Sequence, residues 1–147
     1  IRVGLGMYGL APHTATHGLT PALALTSVVS KLVDVPAGHG SGYGWTDAAD
    51  HDRTLAVVSA GYADGYPRSL GGGQAHVGWN GHLLPTVGRV CMDMMTVDAT
   101  GLEVHPGDAI TLWGMAPTLE VCAKQAHTIP YELLTRIGPR VQRVSER

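Results

Sequence analysis

"AHVGWNGHLLPTV", residues 75–87, gives the clearest structural instruction in the chain. Asn80 and Gly81 are the residue pair that tolerates positive φ at both centres of a type I′ turn, and apolar runs flank them. A β-hairpin is expected. Outward from it, "RTLAVVSAGYADG" (53–65) starts as a buried strand and breaks at Gly61, and "LTSVVSKLVDV" (25–35) is rich in β-branched residues. Downstream, "RVCMDMMTVDA" (89–99) and "DAITLWG" (108–114) read as further strands. Roughly five or six short strands must close or stack to protect their edges, and a small closed barrel fits the length. The connections "PAGHGSGYG" (36–44) and "DAADHDR" (47–53) read as loop.

The last thirty or so residues change period. Leu119, Cys122, Ala123 and Ala126 recur at helical spacing. Thr128 stands where an N-cap is expected, Pro130 falls in a first turn, and Gly138 with Pro139 makes a stop. Two short helices are expected over 119–127 and 129–137, with "RVQRV" (140–144) as a final strand.

Bulk properties narrow the function classes. With 147 residues the chain can bury a core without disulfides. A formal net charge of −2 gives no basic footprint for nucleic acid or an anionic membrane, and small partners are expected. Two scattered cysteines, Cys91 and Cys122, suit buried thiols in a reducing cytoplasm. No apolar run approaches the length of a bilayer span.

Several local patterns invite chemistry. "GLGMYG" (4–9) matches a dinucleotide-binding glycine pattern, but Ala11 and Pro12 follow at once where a helix should open. What survives is bare backbone able to approach an anion. His13 and His17 have the i, i+4 spacing of metal ligands, yet prolines bound the segment and no carboxylate or thiolate is near, so no metal site is expected. Tyr43 in "HGSGYGW" (39–45) sits between glycines, which leaves a phenol reachable. "GYADGYPR" (61–68) gathers two tyrosines, an acid and an arginine on a broken strand end. Asp93 in "GRVCMDMM" (88–95) is either an outward acid on a core strand or a buried carboxylate that needs a partner.

Taken in order, "RVGLGMYGLAP", "SGYG", "GYADGYPR", "GRVCMD" and "TIPYE…R" resemble the carboxy-terminal part of alanine racemases, pyridoxal-phosphate enzymes of cell-wall metabolism. The resemblance implies a mainly β fold, a closed six-stranded Greek-key-like barrel with two short carboxy-terminal helices. It also implies that residues 1–15 are the end of an amino-terminal (β/α)8 barrel, a remnant of its last strand, and that 16–147 are the second domain.

Carried over position by position, Tyr43 resembles the catalytic tyrosine that moves a proton on one face of the substrate α-carbon while a lysine serves the other. Racemisation needs two bases because the proton must leave and return on opposite sides. Arg2 resembles the arginine facing the pyridine nitrogen. Gly4 and Leu5 match the backbone donors to the cofactor phosphate, and Tyr131 matches the hydroxyl that completes that site. Met92 matches the backbone N–H that holds the substrate carboxylate, with Asp93 beside it. Tyr62 matches the inner gate of the substrate channel and Arg68 a nearby channel residue. The family builds its site between subunits, so the resemblance implies a homodimer, with alanine as substrate.

The sequence departs from the family pattern in one decisive respect. The lysine that binds the cofactor belongs to the amino-terminal barrel, and neither Lys31 nor Lys124 stands in a matching motif. The 147-residue chain alone is therefore expected to be inactive and to expose an apolar surface that the missing barrel would cover. Met94 and "GWTDAAD" after Tyr43 also differ from the commoner residues. Two other readings stand beside this one: a domain of a related racemase for serine or a broader set of amino acids, and a stand-alone β-barrel binding module.

Overall fold

The hairpin forms where its turn chemistry places it. Strand β5 (His76–Trp79) pairs antiparallel with β6 (His82–Val87), Trp79 opposite His82, and Asn80 and Gly81 take φ of 45° and 81°. The computed structural model describes residues 3–10, 18–42 and 47–145. Arg2, His13, His17 and Tyr43 lie outside the described residues, as does the expected domain boundary at 15/16.

The other barrel strands are β1 (Leu25–Val35), β4 (Arg53–Val58), β7 (Met95–Asp98) and β8 (Ala109–Trp113). They close in the order β1-β4-β7-β6-β5-β8, every pair antiparallel. β5, β6 and β7 follow one another as neighbours while β4 lies beside β7, which is Greek-key connectivity. Closure removes the edges that six short strands would otherwise expose.

Where the chain departs from expectation, local hydrogen bonding explains it. Gly40–Ser41 (β2) pairs with Asp47–Ala48 (β3), so part of the glycine-rich segment expected as loop is a two-stranded ribbon. Ala49 pins it, donating to His39 O and accepting from Gly38 N, and it packs with Val35, Leu55 and Val87 in a small second core. The strand expected over 89–99 is confined to Met95–Asp98, because residues 91–94 turn back on themselves through Cys91 N donating to Met94 O. Residues 140–144 form no strand.

The main core fills the barrel. Trp113 and Tyr66, both fully buried, stack at 5.9 Å with their planes 13° apart. Ala56, Val58, Val77, Leu84, Val97, Ile110 and Leu112 surround them from alternate positions of the strands. Helix α1 (Leu119–Gln125) closes over this core with Leu119, Cys122 and Ala123, and α2 (Pro130–Arg136) adds Leu133. Thr118 caps α1 by accepting from Val121 N. Thr128 does not cap α2: Ile129 holds the N-cap position, and the Thr128 hydroxyl donates to Glu132.

The amino-terminal segment joins the same unit. Gly4–Tyr8 forms a 3-10 turn, and Leu5 and Leu10 are buried in the main core. Tyr8 O accepts from Ala22 N, and a Cβ on Gly9 would lie 1.7 Å from Thr20 O, so only glycine permits that approach. Among the described residues, no helix is long and apolar enough to cross a membrane.

Candidate functional site

Two clusters of the expected site residues form, and α2 runs between them. The first joins the two ends of the chain. Gly4 is left-handed at φ +56°, and a Cβ there would lie 3.4 Å from the Tyr131 hydroxyl. Tyr131 stands in the first turn of α2, where Pro130 at the start of the helix presets φ and the helix loses no hydrogen bond to the missing N–H. The first bond of the 3-10 turn runs from Gly6 N to Val3 O, so the Gly4 and Leu5 N–H groups have no partner among the described residues. These two N–H groups, a glycine without side-chain bulk and a half-exposed phenol make a cradle that a Cβ would fill, with the donor chemistry a phosphate accepts.

The second cluster lies where β4 ends and β7 begins. These strands pair with Val58 opposite Met95, so the segment leaving β4 meets the one entering β7. Tyr62–Asp64 makes a 3-10 turn docked on the 91–94 turn: Tyr62 N donates to Cys91 O and Ala63 N to Met92 O, each at 3.0 Å. A Cβ on Gly61 would lie 2.3 Å from both the Cys91 and Met92 oxygens, so the turns close this tightly only because residue 61 is glycine. Tyr62 and Met92 are thereby held side by side and exposed, at 43% and 53%. Met94, which closes the 91–94 turn, is likewise exposed, at 50%.

Asp93 resolves as an exposed turn residue with a partner. Arg140 Nη2 donates to Asp93 Oδ1 at 2.6 Å and its Nε to Asp64 Oδ1 at 2.7 Å, while Asp64 Oδ2 accepts from Gly61 N at 2.9 Å. The two carboxylates, Asp64 first and Asp93 second, push the Arg140 guanidinium further toward its charged form. Neither Asp64 nor Arg140 was among the expected site residues. The signal in the sequence was the isolated carboxylate at 93, which called for a cation that the reading of 140–144 as a strand concealed.

Helix α2 relates the two clusters. Its first turn carries Tyr131, and its end packs on the 61–65 turn, where a Cβ on Gly65 would lie 2.7 Å from Arg136 O. Five residues of helix set the Tyr131 and Arg136 backbones about 8 Å apart along the axis. Arg68 makes no hydrogen bond or ion pair with the Tyr62 or Met92 turn among the described residues. It opens a 3-10 turn (Arg68–Leu70) and lines a shallow polar cleft with His127, Thr128, Glu132 and Arg136. There the Thr128 hydroxyl, and then Arg136, hold the Glu132 carboxyl below its ordinary range. Among the described residues, no group of three or more His, Cys, Asp or Glu side chains is placed to hold a metal ion.

Residues 22–145 match the family model described as alanine racemase, C-terminal domain. Among curated proteins, the chain is 41% identical over 145 residues to alanine racemase 3 of Salmonella typhi, covering 99% of this chain and 39% of that protein. It is 44% identical over 147 residues to the alanine racemase of Deinococcus deserti, covering 98% and 42%. It thus spans about two fifths of the length of these relatives. Among solved structures, the alanine racemase of Bartonella henselae with covalently bound pyridoxal phosphate superposes with a TM-score of 0.91 at 37% identity, over 96% of this chain and 40% of that one. The barrel, the docked turns and these matches agree: the chain belongs to the alanine racemase C-terminal domain family.

Proposed function

We propose that this chain is the second domain of a pyridoxal-phosphate-dependent alanine racemase, working with an amino-terminal (β/α)8 barrel of which residues 1–15 are the last part, and acting as a homodimer in the cytoplasm. The observation that carries the reading is the meeting of Gly4 with Tyr131, residues from opposite ends of the chain that together offer a phosphate backbone donors and a phenol. In this reading the Gly4 and Leu5 N–H groups and the Tyr131 hydroxyl bind the cofactor phosphate, and Arg2 faces the pyridine nitrogen. Bound pyridoxal phosphate supplies the delocalisation that lets an amino-acid α-proton leave.

The remaining residues handle the substrate. Met92 N–H donates to the substrate carboxylate, with Asp93 beside it, while the Tyr62 ring narrows the approach so that a small side chain passes. Arg68 contributes to the outer channel. Tyr43, as phenolate, takes or returns the α-proton on one face, and a lysine from the amino-terminal barrel serves the other. Tyr43, Met92 and Tyr62 serve the partner subunit's cofactor, whereas Arg2 and Tyr131 serve their own. The exposed Tyr62, Met92 and Met94 suit a surface covered in that assembly. With Lys31 on β1 and Lys124 in the last turn of α1, the chain alone holds no base in the required role and is inactive.

The test combines this chain with its amino-terminal barrel and cofactor, then follows loss of optical rotation of L-alanine, with L-serine in parallel. The chain alone is expected to leave both unchanged and the complex to racemise alanine faster than serine. Tyr43→Phe is expected to abolish racemisation while the cofactor's absorbance is retained. A Tyr43→Phe complex with unreduced turnover sinks the assignment, and a complex that racemises neither amino acid sinks the racemase reading.

A further inference from the structure

Resting on that reading, we infer that Arg140 is a positioning residue of the substrate site, the cation that locks the turn carrying Tyr62 to the turn carrying Met92. Among the described residues, its guanidinium is the one group that touches both turns through side chains. Nε and Nη2 fork onto Asp64 at 2.7 and 3.3 Å, and Nη2 also reaches Asp93 at 2.6 Å. Asp64 passes the constraint inward by accepting from Gly61 N, and the turns then exchange the Tyr62 N to Cys91 O and Ala63 N to Met92 O bonds. The cation, two carboxylates and two backbone turns form one closed circuit.

Geometry and exposure together say what the circuit does. The Arg140 and Asp93 side chains are 49% and 57% exposed, so ion pairing in water adds little to folding stability. Asp64, at 16%, is shielded and receives a two-point fork, the arrangement that fixes orientation as well as charge. Arg140 itself is set by the turn after α2, where Val141 N donates to Gly138 O, so that helix reaches the Tyr62 turn by a side-chain route as well as by the backbone packing of Arg136 on Gly65. Lysine keeps the charge but has no fork with which to hold both carboxylates in fixed directions.

The experiment uses the holoenzyme assembled from this chain and its amino-terminal barrel, with Arg140→Gln and Arg140→Lys. For Arg140→Gln, KM for alanine is expected to rise about tenfold with kcat changed less than about threefold, since ground-state holding by Met92 and Tyr62 is what loosens. Arg140→Lys should recover part of the loss. Amide exchange at Tyr62 and Ala63 should quicken in Arg140→Gln while the 76–87 hairpin keeps its protection, a readout that needs no turnover. An unchanged KM, a loss confined to kcat, or unchanged exchange at Tyr62 and Ala63 overturns the inference. An unmodified holoenzyme that does not racemise, with Tyr62 and Ala63 still loosened by Arg140→Gln, overturns the racemase reading and leaves the lock standing.

Discussion

Replacing Gly61 by alanine tests the contact on which the second cluster depends. Gly61 has φ −148° and ψ −162°, extended backbone that alanine adopts freely, so nothing in its own conformation requires glycine. By unfolded-state entropy alone the change would stabilise by about 0.4–1 kcal/mol. The surroundings reverse the sign. The new Cβ would lie 2.3 Å from both the Cys91 and Met92 oxygens, whereas close C···O contacts sit at about 3.3 Å, so one turn must retreat by about 1 Å. Overpacking of this kind costs about 1–3 kcal/mol. At about 0.3 kcal/mol per kelvin for 147 residues, the middle of that cost less the entropic gain, a net loss of about 1.3 kcal/mol, lowers Tm by about 4 °C. In the proposed racemase the same displacement moves Met92 relative to Tyr62, and about 1 Å of misplacement is expected to lower kcat/KM by up to roughly a hundredfold, chiefly through KM. Thermal unfolding by circular dichroism and alanine racemisation kinetics measure the two effects. A Gly61→Ala chain melting at or above the unmodified one would refute the reasoning, because the entropic gain would then stand unopposed.

Three further outcomes follow from the core and the hairpin. Tyr66 is fully buried and its hydroxyl has no hydrogen-bond partner among the described residues, so Tyr66→Phe should be neutral or stabilising by up to about 1 kcal/mol in urea unfolding; a clear loss would mean that the hydroxyl is satisfied. Burial pushes the Cys122 thiol up to about 12 from an ordinary value near 9. The folded chain therefore keeps that proton longer than the unfolded chain, the contribution is whole below about pH 9, and stability falls above it by at most about 1.4 kcal/mol per pH unit. Comparing Cys122→Ala with the unmodified chain across that range isolates the slope, and equal slopes would count against it. Gly81 has φ +81° with open space around it, so Gly81→Ala should cost about 1 kcal/mol through backbone strain alone, and an unchanged urea midpoint would contradict the turn assignment.

The parts of the fold that were legible in the sequence are those governed by short-range chemistry. The Asn80 and Gly81 turn, the β-branched run of β1 and the apolar run of β4 each declare their structure locally, and the two helices follow from spacing and stop signals. What was misread depends on partners distant in sequence. β2 exists because Ala48 lies opposite Gly40, and residues 140–144 stay out of the sheet while Arg140 reaches back across 76 residues to Asp64. The site divides in the same way. Gly4, Tyr131, Tyr62 and Met92 were named from ordered motifs, and the structure brings the first pair together and the second pair together. Asp64 was legible only as the acid within "GYADGYPR", and its pairing with Arg140 left no periodic or motif signal, since a salt bridge needs only nearness in space.

The barrel's closure also distributes its mechanical strength unevenly. Between β5 and β8 the ladder is reduced to a single matched pair, Gly78 with Thr111, while β4 and β7 are matched at four successive positions. In the ring order the β5/β8 junction stands opposite the β4/β7 junction from which the Tyr62 and Met92 turns emerge. The cylinder thus has its shortest matched ladder on the side away from the Tyr62 and Met92 turns. Opening of that joint is expected to disturb the Tyr62 and Met92 turns least, since the ring sets them at the opposite junction.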